Sequence, residues 1–475
     1  MEKCDGTQYH RPMEYKLRRK IDAFLERWKQ DPDRLPLIVK GARQIGKTSS
    51  IEHFAENYRC FVEINFITEP QYTKIFSSGY SPENVIKEIS LINPALRFVP
   101  NETLILFDEM QACPDCATCL KFFKQDGRYD VICSGSLLGI NYEEVTSVSV
   151  GFKEDYEMHS LDFEEFLWAR GVSDEMIDDL RSKIKGCIPL DDVTYEMMMR
   201  HFRAFMISGG MPEVVRNIVA GENDKAIAAM DTILANTLED INKYNDGVDV
   251  IKTRRCFESI PSQLRDTNKK FTFSRMVDKD NERLDNSTKQ KYYGNTEWLG
   301  AAGYGNFCYM LTEPVLPLKA NEIVDQYRIY LFDTGMLTHI YGPSARVATF
   351  TDDYRYNQGA VAENVVAECL MKSGIQPRCY RKTNGKNRME LDFVIELGLD
   401  LCVIEVKSGK DREFPSLRKA SEVFRIDRRI LLEKGNIHVD EDGVEHYPLF
   451  AAAFIREMIR GRDGFDENGL PVEGI

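Results

Sequence analysis

The stretch LPLIVKGARQIGKTSSIEHF, residues 35–54, decides how the first third of the chain is read. An apolar run (Leu35, Leu37, Ile38, Val39) stops at Gly41, the loop GARQIGKT follows, and a helix-compatible segment begins at Lys47. Gly41, Gly46, Lys47 and Thr48 fill the fixed positions of the G-x-x-x-x-G-K-[ST] pattern, so strand, phosphate loop and helix are predicted in that order. Glycines let successive backbone N–H groups of Gly41, Ala42, Arg43, Gln44, Ile45 and Gly46 curl round an anion, and the positive end of the following helix adds to the attraction. Lys47 is expected to reach the β- and γ-phosphates of ATP, with the Thr48 hydroxyl on Mg²⁺.

Outward from the loop, CFVEINF (60–66) reads as a second buried strand and SPENVIKEISLIN (81–93) as a helix with a serine–proline start. In ETLILFDEMQ (102–111) four apolar residues run into Asp108 and Glu109. The C-terminal ends of strands in an open α/β sheet are where ligands bind. Asp108 is therefore expected to hold Mg²⁺ through water and Glu109 to polarise the attacking water. YDVICSGSLLGI (129–140) supplies a further strand tip, where Ser134 or Ser136 would sense the γ-phosphate. Upstream, residues 12–29 place Ile21, Phe24, Leu25 and Trp28 on one helical face, a helix expected to pack beside this domain.

The whole-chain properties limit the alternatives. A length of 475 residues suits two or three domains, and 43% hydrophobic with 29% charged residues describes a globular chain. No apolar run approaches the roughly 18 residues of a membrane span, and a cytoplasmic location is expected. Twelve scattered cysteines read as reduced thiols. Cys113, Cys116 and Cys119 repeat every third residue, yet three positions on one helix do not close a tetrahedral site, so no metal is expected there. A net charge of −14 opposes non-specific adhesion to nucleic acid. From Lys252 to Arg346, however, 14 basic residues face 11 acidic ones, a surplus of three. The order of elements in this part is that of a winged helix, with Lys289, Lys291, Tyr292 and Tyr293 as candidates to meet duplex DNA, or a wing fold used for protein packing.

GARQIGKT, FDEMQ, the strand ending SGS, SLDFEEFLWARG (160–171) and GGMPEVV (209–215) together resemble a large prokaryotic family of AAA-type ATP-binding proteins. Its members carry a C-terminal domain of unknown function with a restriction-endonuclease-like core. The resemblance implies an α/β fold: a P-loop ATPase core with a parallel sheet (13–160), a helical lid (161–244), a winged-helix-like domain (245–345), a restriction-endonuclease-like domain (346–460) and a tail (461–475). Many relatives have a Gly-Arg pair where this chain reads VGFKEDYEM (150–158), which leaves Lys153 as the cationic candidate for a transition-state finger. DQYRIYLFDTGML (325–337) matches the family's connecting strand and helix and reads as structural.

A second set of chemical groups lies near the C-terminus. Glu363 falls on a helical segment (359–374), Asp392 on the strand MELDFVIEL (389–397), and Glu405 and Lys407 on LCVIEVKSG (401–409). Two or three carboxylates at one Mg²⁺ and a lysine are what a restriction-type nuclease needs, and Asp392 and Glu405 would meet across a hairpin as metal ligands. Two readings stay open: these four residues cleave or bind DNA under ATP control, or the domain is a binding scaffold without nuclease activity, part of a nucleotide-dependent switch. Expected partners beyond ATP are duplex DNA, through the middle and C-terminal domains, and further copies of the chain.

Overall fold

Continuous apolar runs make the central strands of the first sheet, because a strand covered on both faces has no polar side to present. The computed structural model describes residues 16–136, 151–245, 247–266, 269–273, 286–353, 359–385, 388–409 and 414–460, with backbone alone at 244 and 286–291. Two compact units emerge, Met1–Ser160 with Ala301–Gly303, and Leu161–Gly300 with Tyr304–Ile475.

In the first unit, strands β1 (Leu37–Lys40), β2 (Cys60–Asn65), β3 (Thr103–Asp108), β4 (Asp130–Gly135) and β5 (Glu154–Glu157) form one parallel sheet in the order β2-β3-β4-β1-β5. All six residues of β3 are buried. Helices α1 (Lys20–Gln30), α2 (Lys47–Phe54), α3 (Pro82–Ile92) and α4 (Asp115–Asp126) accompany it. Ile105, Phe107, Val62 and Ile64 pack with Val85 and Ile89 of α3 and with Cys116, Leu120 and Phe123 of α4. Each large apolar side chain buried in this way contributes about 1.5–3 kcal/mol. Serine and proline start α3 as the sequence requires: Ser81 Oγ accepts from Asn84 N at 3.3 Å, and Pro82 takes the first turn. The predicted packing face of α1 is buried at Ile21, Leu25 and Trp28, and Phe24 meets the Tyr156 ring at 4.5 Å.

The second unit begins with five helices, α5 (Phe163–Ala169), α6 (Asp174–Gly186), α7 (Asp192–Ser208), α8 (Pro212–Val219) and α9 (Asn223–Tyr244). SLDFEEF is a capping box: Asp162 accepts from Glu165 N at 2.9 Å, while Glu165 accepts from Asp162 N at 3.1 Å. Then follow α10 (Val248–Leu264), α11 (Asn286–Ala301), the hairpin β6 (Gly305–Leu311) and β7 (Glu322–Leu331), α12 (Thr334–Tyr341), α13 (Pro343–Thr351) and α14 (Gly359–Lys372). The remaining elements are β8 (Arg378–Lys382), β9 (Met389–Leu397), β10 (Asp400–Val406), α15 (Pro415–Val423), β11 (Arg428–Glu433), β12 (His438–Val439) and β13 (Glu445–Pro448). The eight strands make one mixed sheet, β12-β13-β11-β10-β9-β8-β6-β7.

The hairpin foreseen as the wing of a separate middle domain therefore extends the C-terminal sheet, β6 running parallel to β8 at Tyr309–Arg378. An isolated two-stranded hairpin is marginal, and joining a larger sheet removes one of its open edges. GGMPEVV and FDTG meet inside this unit. Gly210 N donates to Asp333 Oδ2 at 2.8 Å, Asp333 caps α12 through Met336 N, and a Cβ at Gly209 would fall 1.8 Å from Asp333 Oδ1. Among the described residues no helix is long and apolar enough to cross a membrane.

Candidate functional site

The phosphate loop, 41–48, leaves the C-terminal end of β1 and enters α2. Gly41 (φ 151°), Gln44 (φ 62°) and Gly46 (φ 93°) take positive φ, which turns consecutive N–H groups to one side. Only glycine fits the first position, since a Cβ at Gly41 would lie 2.1 Å from the Met158 carbonyl oxygen. No side chain caps α2, so the N–H groups of its first turn remain for an anion. Lys47 is 9% exposed and its Nζ donates to the carbonyls of Gly41 (2.9 Å) and Ala42 (2.7 Å). Burial lowers its ammonium to about 8, against the partial opposition of the Glu109 and Asp108 carboxylates.

Register places the acids beside the loop. β4 lies between β1 and β3, so the tips carrying Gly41, Ser134 and Asp108 are neighbours. Four donors hold the Asp108 carboxylate: Ser134 Oγ and Glu109 N (3.0 Å) on Oδ1, and Asn65 Nδ2 (3.0 Å) and Thr48 Oγ1 (3.3 Å) on Oδ2. Glu109 has left-handed φ/ψ (55°, 45°), uncommon for a residue with a side chain. Its carboxylate accepts from Gln111 Nε2, which also reaches Ser136 Oγ at 3.3 Å, and Arg43 Nε lies 3.4 Å from the same hydroxyl. Thr48 and Asp108 thus offer adjacent hard oxygen donors, the type and small number of protein ligands that Mg²⁺ accepts. Ser134 is committed to Asp108, whereas Ser136 belongs to the Gln111–Arg43 side of the site.

Three contributors were not foreseen. Asn65 is fixed by register opposite Asp108, and Gln111 by the tight turn after β3. Arg19, 6% exposed, donates from Nη1 to Ile45 O in the loop and from Nη2 to His159 O, both at 2.7 Å. It ties the loop to the segment after β5. Nothing in the local sequence marks it, because its partners are backbone carbonyls.

Lys153 is not brought to the loop. In-register parallel pairing sets Glu154 against Leu37 and Glu154 N on Pro36 O, so Lys153 sits at the N-terminal edge of the sheet. Gly41 is five residues further along β1, roughly 16 Å at the rise of a strand. Lys153 Nζ pairs instead with Asp155 at 2.7 Å.

In the second unit, Asp392 and Glu405 are cross-strand neighbours, one step beyond the Phe393–Ile404 pair, as the hairpin spacing predicts. Glu363 and Lys407 join them, Lys407 Nζ being 2.9 Å from Glu405 Oε1. The cluster holds two more cations that the sequence did not reveal. Arg328, 1% exposed, stands 3.8 Å from both Glu363 and Asp392 and donates to Glu390 Oε1 at 2.6 Å; Lys269 pairs with Glu363. Burial first, then the Asp392 carboxylate, push Glu405 up to about 8, and its Oε2 is buried without a partner. Among the described residues no three acidic, imidazole or thiol groups are placed to hold a metal ion. Of the two residues expected on Mg²⁺, Asp392 has the Arg328 guanidinium 3.8 Å away, and Glu405 keeps one carboxylate oxygen without a hydrogen-bond partner.

On α11, Tyr292 is buried with its ring 6.5 Å from Phe273, and Tyr293 is half-buried 6.4 Å from Tyr327. Tyr292, expected at a DNA surface, belongs to the packing of this unit. The side chains of Lys289 and Lys291, and the tail 461–475, lie outside the described residues. Cys116 and Cys119 are buried on α4, with Cys116 Sγ 3.6 Å from Cys133 Sγ.

A family model described as an AAA domain matches residues 33–167, which hold the loop, the acids and all five strands of the parallel sheet. Two domains of unknown function match 199–346 (DUF8612) and 358–451 (DUF4143). No curated protein matches the chain. Among solved structures, the Walker-type ATPase paby2304 of Pyrococcus abyssi is similar at 12% identity and TM-score 0.40, over 69% of this chain and 96% of that one. The Aeropyrum pernix Orc1 protein in complex with DNA is similar at 12% and 0.30, over 70% and 92%. At those scores neither bears on function. The first unit carries an AAA-type P-loop ATPase domain. It is an ATP-binding module joined to a second unit built on a mixed sheet.

Proposed function

We propose that the chain is a Mg²⁺-assisted ATPase whose second unit is a binding scaffold for DNA or a protein partner, without nuclease activity. The observation that carries the ATPase reading is the convergence of loop amides, Lys47, Thr48 and the Asp108–Glu109 pair at neighbouring strand tips. Mg²⁺, held by Thr48 and through water by Asp108, would offset phosphate charge. The loop amides and Lys47 bind and orient the triphosphate. Glu109 takes the proton of the attacking water, and Gln111 holds the Glu109 carboxylate in place until it does. The crowding of cations supports the scaffold reading: Lys269 pairs with Glu363, Arg328 stands beside Glu363 and Asp392, and Lys407 pairs with Glu405. A second reading, Mg²⁺-dependent cleavage of nucleic acid, draws on the meeting of Glu363, Asp392, Glu405 and Lys407.

Glu109→Gln should bind ATP as the native protein does and lose turnover by at least about 100-fold, the usual worth of a positioned base. Turnover left unchanged would discard Glu109 as the base. Incubation of supercoiled plasmid with Mg²⁺, with Asp392→Ala as control, separates the two readings of the second unit, since nicking by the native protein alone would overturn the scaffold.

A further inference from the structure

As a γ-phosphoryl group transfers to water, negative charge gathers on its oxygens and on the leaving ADP, and a cation fixed beside them lowers the barrier. Lys47 covers one side of that region from the floor of the loop. Lys153, which the sequence offered for the other side, is at the N-terminal edge of the sheet with Asp155.

Arg43 stands at the mouth of the loop. It belongs to the turn between Gly41 and Gly46, and its half-buried side chain crosses from the tip of β1 to the tip of β4, where Nε lies 3.4 Å from Ser136 Oγ. The same hydroxyl is 3.3 Å from Gln111 Nε2, and that amide donates to the Glu109 carboxylate. Ser136 and Gln111 thus join the guanidinium to the carboxylate that handles the attacking water. Lys47 is its neighbour on the other side: burial above all lowers the Lys47 ammonium, and the Arg43 charge adds to that against the pull of Glu109 and Asp108. Lys47, Arg43 and Glu109 therefore surround one space above the loop amides.

We propose that Arg43 is a catalytic cation supplied by the phosphate loop itself, binding the γ-phosphate oxygens and taking up the charge that grows on them, an inference that rests on the ATPase reading above. Its planar fork matches two oxygens of one phosphoryl group, and it stays charged throughout the working pH range. In the step it assists, the bond from the γ-phosphorus to the bridging oxygen breaks and leaves its electron pair on ADP. The water oxygen bonds to the phosphorus, and the water proton goes to Glu109. Arg43 gives up no proton. Because the residue lies in the loop it serves, it acts on the nucleotide bound by its own chain.

The test compares the full native chain with Arg43→Met in steady-state ATP hydrolysis, in calorimetric titration with ADP, and in retention of labelled ADP after incubation with Mg²⁺ and orthovanadate. Arg43→Met should lower kcat at least about 100-fold with KM changed by less than about threefold, the pattern of an interaction made only as the phosphoryl group transfers. It should bind ADP as the native chain does and fail to trap ADP with vanadate. Native kcat in Arg43→Met, vanadate trapping equal to the native, or ADP affinity lost in step with turnover would each overturn the proposal while leaving the ATPase reading in place. A native chain that neither binds ADP nor hydrolyses ATP would overturn both. Mixing Arg43→Met chains with Lys47→Ala chains should restore no turnover, and restoration would overturn action within one chain. If Arg43→Met does not fold, Arg43→Gln, which keeps a donor for Ser136 without the charge, decides: the same loss of kcat and of trapping supports the role, and native values remove it.

Discussion

Raising the pH from 7 to 9 should weaken nucleotide binding to the first unit about tenfold. Lys47, buried among the turns of its own loop, titrates at about 8 instead of the ordinary lysine value of 10.5. Its ammonium is therefore about nine-tenths populated at pH 7 and about one-tenth at pH 9. A triphosphate selects the charged form, so the apparent dissociation constant rises as that form is depleted, by about 1.4 kcal/mol across the interval. Binding at pH 8 takes up about half a proton per nucleotide. Calorimetry in two buffers of different ionisation heat reads that uptake directly, and a fluorescent ATP analogue gives the affinity. Lys47→Arg, charged throughout, should bind with little pH dependence. A flat profile in the native protein, or an undiminished slope in Lys47→Arg, would refute the argument. The same shift has a stability consequence of defined sign. Because the folded pKa lies below the unfolded one, the fold bears a penalty below pH 8 that is relieved as pH rises from 8 to 10.5.

Arg19→Ala should destabilise the first unit by about 2–4 kcal/mol in urea unfolding, since two charge-assisted hydrogen bonds to buried carbonyls are lost, and should weaken ATP binding because the loop is no longer tied to 158–159. Arg328→Met should cost the second unit about 3–5 kcal/mol by removing the buried guanidinium beside Asp392 and Glu390, read in urea unfolding; an unchanged unfolding midpoint would argue against the charge account. Glu405 behaves oppositely to Lys47: its folded pKa of about 8 exceeds the ordinary carboxylate value of 4.5, so second-unit stability should fall as pH rises from 4.5 to 8, and Glu405→Gln should flatten that fall in pH-dependent melts.

What the sequence revealed follows from how far apart the cooperating residues lie along it. The phosphate loop was readable because Gly41 to Thr48 are contiguous and each position has its own steric or ionic demand. Asp108 and Glu109 were readable because an apolar strand delivers them, and Asp392 with Glu405 because one hairpin fixes their spacing. The position of Lys153 was not readable because strand polarity decides which sheet edge a residue occupies, and the Leu37–Glu154 pairing sets that. Arg19 and Arg328 escaped notice for the complementary reason. Their partners are backbone carbonyls or distant carboxylates, and a buried arginine in a polar-looking segment leaves no periodic trace. The wing was mistaken for a separate body because a hairpin pattern does not say which strand lies along its outer edge.

The charge cluster of the second unit also sets an order of events during synthesis. Every strand of the parallel sheet lies within residues 37–157, so the nucleotide-binding unit has all its strands early on the ribosome. Lys269, Arg328, Glu363, Asp392 and Glu405 emerge only across the remaining length, and the first of them has no counter-ion until Glu363 is made. At about 5–20 residues per second that wait lasts roughly 5–20 s. Nascent chains stalled between the codons for Lys269 and Glu363 should therefore hold a protease-resistant first unit followed by a protease-sensitive second.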